Sequence, residues 1–397
     1  MRTRRSRHDV VVVGARCAGA ATAMLLARLG HDVVVVDRSR PGTDTLSTHG
    51  ILRPGVVQLS RWGLLDAVLA SGAPPVREVS FRVGDAEVIR PVKDRAGVDL
   101  LVAPRRYVLD SILAGAAADA GADVRFGMTV AALRRGPGGR VSGVVAHDAS
   151  GEPTELSARF VVGADGLRSR VAREVGARII EQHPTDNSTF YAYFAGLDWR
   201  GFELHVGHPG LAGVFPTHGG QANAWICSPA AMAARLRGSD NDRGAALVDS
   251  IEQLSPSLAD RLRGARRTSP VRGAVRLPNH VRHASGPGWA LVGDAGYHRD
   301  PITGHGISDA FRDAELLARA LHHALGSPTD ETHALASYQR QRDALLRETY
   351  DITCALSEYP KPDRFVELQR QLAKAIDDEA RFLASGPGAP AIEEIAA

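Results

Sequence analysis

The fold of this chain is decided by one stretch, DVVVVGARCAG at residues 9–19. Its valines predict a short buried strand, and the small residues around Gly14 and Gly19 predict the turn and first residues of an apolar helix. A second valine run, residues 33–36, ends in Asp37. In such a βαβ unit the N–H groups at the helix start bind a diphosphate, and the acid accepts a ribose hydroxyl. The stretch therefore predicts a dinucleotide site whose acid disfavours a 2′-phosphate.

The glycine turn departs from G-x-G-x-x-G at its central position, which is Arg16. We expect Arg16 to offer its guanidinium to the diphosphate instead. Cys17 follows in the same turn, where a helix start can lower the pKa of a thiol, although a small packing residue is the simpler interpretation. The alternative for the whole segment is an ordinary βαβ unit with a chance glycine pair. Taken alone, the segment does not separate FAD from NAD.

The composition is that of a globular protein. Of 397 residues, 44% are hydrophobic and 23% charged, and the formal net charge is +3. This charge is too small to indicate a nucleic-acid partner, although arginines stand at positions 2, 4, 5 and 7. The sequence shows no signal-peptide core and no run of the roughly 18 apolar residues of a membrane helix, so we expect a cytoplasmic protein without a membrane span. Three widely separated cysteines indicate neither disulfides nor a zinc site, and we expect no metal.

Turn signals and apolar periodicity predict an α/β fold, in which a Rossmann-like domain carries an inserted antiparallel β-sheet and a helical C-terminal region. Alternating apolar residues from 188 to 227 predict the antiparallel strands, and the glycines at 136–139 predict a hairpin turn. The predicted helices span residues 56–69, 105–121 and 307–321, followed by mostly helical material from 335 to 397 that is interrupted at 360–362.

A second segment, VVGADGLRS at residues 161–169, repeats the order strand, turn, helix. In this turn Asp165 can bind ribose or a phosphate-linked water, and Arg168 can supply positive charge to a diphosphate or to a nicotinamide nucleotide. An ordinary strand-loop-helix turn would use the same residues, so this motif is informative only together with the others.

A third segment, residues 289–307, has the same order. Gly293 and Asp294 end its strand, where the acid suits a ribityl or ribose hydroxyl. Gly304, Gly306 and the following helix start can offer N–H groups to electron-rich ring atoms. Three such motifs in one chain indicate a single extended dinucleotide cofactor.

With these motifs the chain resembles the FAD-dependent monooxygenases of the para-hydroxybenzoate hydroxylase fold, a superfamily that also includes geranylgeranyl-reductase-like enzymes. The resemblance covers about residues 9–330. It implies that FAD is the cofactor, that Arg105 or Arg106 reaches the flavin, and that Asp165 belongs to a motif shared by FAD and NAD(P)H. The cofactor-binding residues that we expect are Gly14, Arg16, Cys17, Ala18, Gly19, Asp37, Arg38, Thr48, Arg105, Arg106, Asp165, Arg168, Gly293, Asp294, Pro301, Gly304, Gly306 and Ile307.

Two positions depart from the family pattern, since Arg16 replaces a glycine and His305 stands where many relatives have glutamine. A second G-x-G-x-x-G is absent, which agrees with a family whose NAD(P)H docks transiently without its own Rossmann domain. The resemblance also implies domains: FAD-binding at residues 1–77, 104–180 and 276–330, substrate-binding at 78–103 and 181–275, and a C-terminal helical region at 331–397.

The resemblance implies a reaction as well. NAD(P)H, a transient co-substrate, reduces the flavin, O2 is captured as a C4a-hydroperoxide, and one oxygen atom hydroxylates or epoxidises a small aromatic or polyketide-like organic substrate. A flavin that swings between two positions needs a roomy loop, which we place at residues 45–50. We expect the cofactor residue Pro301 to lie at the reaction site too.

Three further residues are candidates for catalysis. His49 could deprotonate a phenolic substrate, while the alternative is a histidine that caps a helix or packs on the flavin. Tyr191 and Tyr193 alternate onto one strand face with Thr189 and can line a substrate pocket. For these tyrosines, and for Phe194 and Trp225 nearby, core packing is the alternative.

Other functions fit the same motifs. A reductase or dehydrogenase of the same superfamily would act on a C=C bond without oxygen, and incorporation of labelled oxygen would separate it from a monooxygenase. A flavin halogenase needs a lysine between flavin and substrate, whereas Lys93 is the only lysine outside the C-terminal region. A non-catalytic redox-sensing module would bind the cofactor without substrate-driven NAD(P)H oxidation.

Overall fold

A computed structural model describes residues 7–94, 96–237 and 240–385. Residues 1–6 and 386–397, which include most of the N-terminal arginines and the end of the predicted C-terminal region, lie outside these ranges. The strands are β1 (Arg7–Val13), β2 (Val33–Asp37), β3 (Glu78–Val83), β4 (Ala86–Pro91), β5 (Asp123–Phe126), β6 (Thr129–Arg135), β7 (Val141–His147), β8 (Pro153–Gly163), β9 (Ile179–His183), β10 (Asn187–Ala195), β11 (Phe202–Gly207), β12 (Gly210–Pro216), β13 (Gln221–Pro229), β14 (Arg266–Arg267), β15 (Arg272–Val275), β16 (Asn279–Arg282), β17 (Ser285–Gly286), β18 (Trp289–Leu291) and β19 (Tyr297–His298).

The helices follow the apolar periodicity with one exception. The single helix predicted over residues 56–69 is wrong, because the chain breaks at Gly63, which has a φ of +74° that only glycine adopts readily. The α-helices are α1 (Cys17–Arg28), α2 (Arg53–Arg61), α3 (Leu65–Ala70), α4 (Arg106–Asp119), α5 (Arg170–Glu174), α6 (Asp240–Glu252), α7 (Pro256–Gly264), α8 (Gly306–Gly326), α9 (Glu331–Ser357) and α10 (Pro362–Ala384).

β1 lies inside a largely parallel sheet with the order β17-β18-β8-β1-β2-β5. Val10–Val13 align with Val33–Val36 on one side and with residues 160–163 on the other. These valines are buried, as expected for β-branched strands covered on both faces. Because parallel strands end at the same edge, the turns that follow β1, β8 and β18 meet there.

A second sheet has the order β14-β10-β13-β12-β11-β3-β4, and β15 also pairs with β10. Its neighbouring strands are antiparallel except for β11 and β3. Side chains of β10 alternate between its faces, so Phe190 and Phe194 pack with α6 and α7 while Tyr191 and Tyr193 face the opposite way. We call the latter the aromatic face, which also carries Trp225.

The C-terminal helices close the molecule against both sheets. Phe365, Leu368 and Leu372 of α10 pack on the aromatic face. Two turns further along α10 than Leu372, Glu379 pairs with Arg312 of α8. The α/β fold class with an antiparallel sheet and a helical C-terminal region is confirmed.

A small third sheet of β19, β16 and β9 joins residues on either side of the antiparallel sheet in the sequence. The domain boundary that we predict between residues 180 and 181 falls inside β9. The division into domains therefore stays a prediction.

Candidate functional site

A cavity of about 800 Å³ lies at the carboxyl ends of β1, β8 and β18. It brings the three sequence motifs together and reaches β10 of the antiparallel sheet. Gly19, Arg105 and Tyr193 are not among the described residues of its wall. The expected residues that do line it are Gly14, Arg16, Cys17, Ala18, Asp37, Arg38, Thr48, His49, Arg106, Asp165, Arg168, Tyr191, Gly293, Asp294, Pro301, Gly304, Gly306 and Ile307.

Two glycines of the first motif allow close packing around the turn. Gly14 has a φ of +108°, and a Cβ there would lie 2.9 Å from the carbonyl carbon of Ala164. A Cβ at Gly19 would lie 2.9 Å from the carbonyl carbon of Gly14 and 3.0 Å from Cβ of Ala164. Gly19 therefore seats α1 against the strand ends and is not part of the cavity wall.

The start of α1 is open toward the cavity. Its N-cap residue, Arg16, makes no side-chain cap, and the first turn holds no acid. The first N–H groups of the helix are consequently available to an anion. Asp37 lies at the end of β2, where one carboxylate oxygen accepts a hydrogen bond of 2.7 Å from the N–H of Ala15 and the other accepts from the N–H and hydroxyl of Ser39.

Sequence reasoning missed Asp110, which organises the turn. Its carboxylate accepts from Arg16 Nη1 at 3.3 Å, from Cys17 Sγ at 3.3 Å, and from Arg106 Nε and Nη2 at 3.0 to 3.2 Å. The i,i+4 spacing of Arg106 and Asp110 on a predicted helix was the available signal. Burial raises the pKa of the Cys17 thiol far above its usual value, which agrees with the simpler interpretation of Cys17 as a small packing residue.

The second motif is built as a helix cap. Asp165 accepts from the hydroxyl of Ser169 at 2.5 Å and from the N–H groups of Arg170 and Val171 at the start of α5. This is the structural alternative that the sequence left open. Asp165 and the exposed Arg168 nevertheless both lie on the cavity wall.

The third motif presents backbone and one carboxylate. Gly293 has a φ of +59°, and a Cβ there would lie 2.9 Å from Cβ of Ala18 in the first motif. Asp294 is exposed on the cavity wall. Gly304, with a φ of +67°, turns the chain so that α8 begins at Gly306 without a side-chain cap. The start of α8 therefore offers N–H groups to the cavity, as the sequence predicts.

A buried ion cluster surrounds this helix start, and two of its members, Arg299 and Asp309, also line the cavity. Asp309 in the first turn of α8 pairs with Arg299 and with Arg312, and Arg312 also pairs with Asp313 and Glu379. Burial raises the pKa of Asp313 to about 6 and also raises that of Glu379. The cluster lies between α8 and α10 and was not visible in the sequence.

His305 turns inward rather than toward the cavity. Its Nδ1 donates to the carbonyl of Thr303 at 2.9 Å, and its side chain is buried next to Arg299. Burial, with the charge of Arg299 next in importance, lowers the pKa of His305 to about 3. His305, which stands where many relatives have glutamine, is therefore a neutral side chain that is not among the described residues of the cavity wall.

His49 is enclosed by the aromatic face. Its Nδ1 donates to the carbonyl of Ala103 at 3.1 Å, and its Nε2 contacts the hydroxyl of Tyr193 at 2.9 Å. Burial, followed by the positive charge of Arg105, lowers the pKa of His49 to about 3. The role of a base near neutral pH is therefore not supported, because both nitrogens are occupied and the imidazole is a very weak base.

The two tyrosines of β10 differ in position. Tyr191 lines the cavity, and its hydroxyl accepts a hydrogen bond from the N–H of Ser47. Tyr193 is stacked between His49 and Arg105, whose guanidinium carbon lies 3.7 Å from the ring centre. Tyr193 and Arg105 are not among the described residues of the cavity wall, and Arg105 pairs with Asp44. Of the two arginines that the resemblance offered as alternatives, Arg106 lies on the wall. Of the other aromatic residues, Phe194 points to α6 and Trp225 is buried in the core.

A second histidine also lines the cavity. His298 of β19 lies on the wall, close to Pro301 in the chain. Its Nδ1 lies 2.6 Å from the carbonyl of Pro278 and must donate to it, because a carbonyl oxygen only accepts. The lone pair of His298 therefore resides on Nε2. The signal in the sequence was the position of His298 in the third segment, three residues before Pro301.

The residues present fit a flavin dinucleotide. Two uncapped helix starts, the guanidinium groups of Arg16 and Arg106, and glycines that leave no room for a Cβ surround one cavity. Within the described ranges, no group of three or more metal-ligating side chains is placed to hold a metal ion. Among the helices in those ranges, none combines the length and apolarity needed to cross a bilayer.

Comparisons with known proteins agree with this geometry. A family model described as an FAD binding domain matches residues 7–353. A digeranylgeranylglycerophospholipid reductase 2 from Methanothermobacter thermautotrophicus is 30% identical over 347 residues, which cover 84% of this chain and 82% of that protein. A kynurenine 3-monooxygenase from Salinispora arenicola is 28% identical over 369 residues, covering 85% and 77%. The solved structure of PqsL, a probable FAD-dependent monooxygenase from Pseudomonas aeruginosa, matches 92% of this chain and 100% of its own with a TM-score of 0.79 and 23% identity.

Proposed function

This chain belongs to the FAD binding domain family and is an FAD-dependent oxidoreductase, and from that premise we propose that it is an NAD(P)H-consuming monooxygenase. Its substrate is a small aromatic or polyketide-like organic molecule, and O2 is the second substrate. Bound FAD supplies the transfer of electrons from NAD(P)H and the activation of oxygen. The protein supplies binding, orientation and exclusion of water.

The observation that carries this proposal is the limited size of the cavity, which reaches β10 of the antiparallel sheet. Thr189 and Tyr191 of β10, with Ala274 and Leu277 nearby, face the same space as Pro301. Pockets of roughly 300–1,000 Å³ hold a single drug-sized ligand, and here about 800 Å³ must hold a dinucleotide as well. The room that is left suits a compact, planar substrate.

The aromatic face supports the same conclusion. Side chains of α10, with Leu356 of α9, pack directly on it, so this face of the sheet is filled by the protein's own core. A long isoprenoid chain would need a groove of its own. The buried core at Phe365 and Leu368 occupies the surface where such a groove could run.

In this proposal, different residues of the chain bind the cofactor, orient the substrate and accept a proton. The starts of α1 and α8 bind the anionic and electron-rich parts of the cofactor through their N–H groups. Tyr191 and Thr189 orient the substrate over Pro301. We infer that His298, through Nε2, takes up the proton of a phenolic or enolic substrate, because its other nitrogen is held by Pro278.

The test begins with purified protein and its visible absorption spectrum. Aromatic and polyketide-like compounds are then screened for stimulated NADH and NADPH oxidation, and products of active compounds are formed under 18O2. We expect one labelled oxygen atom in the product. Stimulated oxidation that yields only peroxide, or product formed equally well without oxygen, would refute the monooxygenase.

A reductase that acts on a C=C bond is the second candidate, and the digeranylgeranylglycerophospholipid reductase relative favours it. Its distinguishing result is anaerobic turnover of an unsaturated substrate by the reduced protein. In that experiment the flavin reoxidises in step with saturation of the double bond. The monooxygenase predicts no such reoxidation until oxygen is admitted.

A further inference from the structure

Two arginines at the diphosphate turn share one carboxylate. Asp110 accepts from Arg106 through both Nε and Nη2, and it accepts from Arg16 through Nη1. Arg16 stands where the motif normally has its central glycine, and Arg106 begins α4. The two side chains therefore approach the same place from different elements.

The positions of Arg16, Arg106 and Asp110 relative to the cavity indicate different roles for these residues. Arg16 and Arg106 both line the main cavity, whereas Asp110 is not among the described residues of its wall. The carboxylate therefore lies behind the guanidinium groups as seen from the cavity. Bidentate contact fixes the plane of Arg106 and leaves its Nη1 without a hydrogen bond in the described part of the chain.

We propose that Asp110 is a positioning residue that holds Arg16 and Arg106 as a two-guanidinium clamp for the FAD diphosphate. The clamp takes over the role of the close backbone approach that the missing glycine would give. Arg106 is nearly buried, with 12% of its side chain exposed, so a fixed partner is needed to keep its charge in place. This inference rests on FAD as the cofactor and is independent of the reaction proposed above.

A rival interpretation of Asp110 predicts the opposite change in FAD affinity. If Asp110 merely competed with the diphosphate for the two arginines, its removal would strengthen FAD binding, because one negative charge near the anion would be lost. Positioning predicts weaker binding, since each arginine would have to be ordered when FAD binds. The direction of the change in FAD affinity decides between them.

The experiment uses the full-length apoprotein and titrates it with FAD, ADP and riboflavin, followed by flavin fluorescence or, for ADP, by calorimetry. Asp110→Asn keeps the shape of the side chain and removes its charge. We expect it to weaken FAD and ADP binding about ten-fold and to leave riboflavin, which has no diphosphate, unchanged. Asp119→Asn, at the exposed far end of α4, is the matched control.

A double-mutant cycle separates positioning from a general structural effect. In the background Arg16→Ala with Arg106→Ala, Asp110→Asn should cause no further loss of FAD affinity. The ratio of FAD to riboflavin affinity, measured on one sample, does not depend on the fraction of folded protein. Equal losses for FAD and riboflavin, tighter FAD binding, or an undiminished effect in the double-arginine background would each overturn the proposal.

Discussion

Gly19 offers a direct test of how the first motif is packed, because a second helical glycine provides a control. A Cβ at Gly19 would lie 2.9 Å from the carbonyl carbon of Gly14 and 3.0 Å from Cβ of Ala164, and neither neighbour can move without shifting the strand ends. Gly115 in α4 is exposed, and a Cβ there meets nothing within 4 Å. The two substitutions to alanine therefore differ in the room available to the new methyl group, whereas both positions lie in helices.

The magnitudes follow from two opposing effects. Replacing glycine by alanine inside a helix stabilises it by about 1 kcal/mol. Overpacking at a tight contact costs about 1–3 kcal/mol. Gly115→Ala should therefore raise the free energy of unfolding by about 1 kcal/mol, whereas Gly19→Ala should lower it by up to about 2 kcal/mol. Because the strand ends shift, Gly19→Ala should also weaken FAD binding.

Urea unfolding of the apoprotein, monitored by far-UV circular dichroism, measures both variants against the parent. FAD titration then reports on the site itself. The packing argument would be refuted if Gly19→Ala stabilised the protein as much as Gly115→Ala does and bound FAD with the parent affinity.

Three further predictions follow from buried charges and from the cavity wall. Burial favours the neutral form of Glu203, but His205 and Arg261 outweigh burial and lower the pKa of Glu203 from the usual 4.5 to about 2. The carboxylate should therefore contribute roughly 3 kcal/mol to the free energy of unfolding above pH 4.5, and this contribution should be lost as the pH falls toward 2. Urea unfolding of Glu203→Gln across that range should show a correspondingly flatter pH dependence. Arg312→Met leaves buried carboxylates without their cation and should lower the free energy of unfolding by about 3–5 kcal/mol. Arg370→Met removes an exposed ion pair and should leave the free energy of unfolding unchanged. Equal urea midpoints for the two variants would contradict this prediction. With a phenolic substrate identified by screening, His298→Gln should lower kcat about 100-fold in stopped-flow assays, and full activity of that variant would remove His298 as the base.

Local patterns predicted the part of the fold that depends on neighbours in sequence. The valine runs of β1 and β2, the hairpin turn at residues 136–139 and the start of α8 at Gly306 all follow from residue type and spacing. The break between α2 and α3 was also visible, since Gly63 lies between two apolar stretches. Weighing that glycine against the helical period would have divided the helix correctly.

Side-chain partners across the fold could not be predicted in the same way. Asp110 and Arg16 are 94 positions apart, and only the packing of α4 beside α1 brings them together. Tyr191 and Tyr193 share a strand face, yet one lines the cavity and the other is enclosed by His49 and Arg105. Alternation gives the face of a strand but not the position of the neighbouring loop, and that loop separates the two tyrosines.

The pairing of β1 with β8, and of β8 with β18, means that the cofactor site is assembled from segments made at very different times on the ribosome. Its glycine turn at residues 14–19 is synthesised well before α10, the helix that carries Glu379. At about 5–20 residues per second, the early half waits on the order of tens of seconds for its counterpart. During that interval the parallel sheet around β1 is incomplete, and we expect its exposed strand edges to make the nascent chain prone to aggregation.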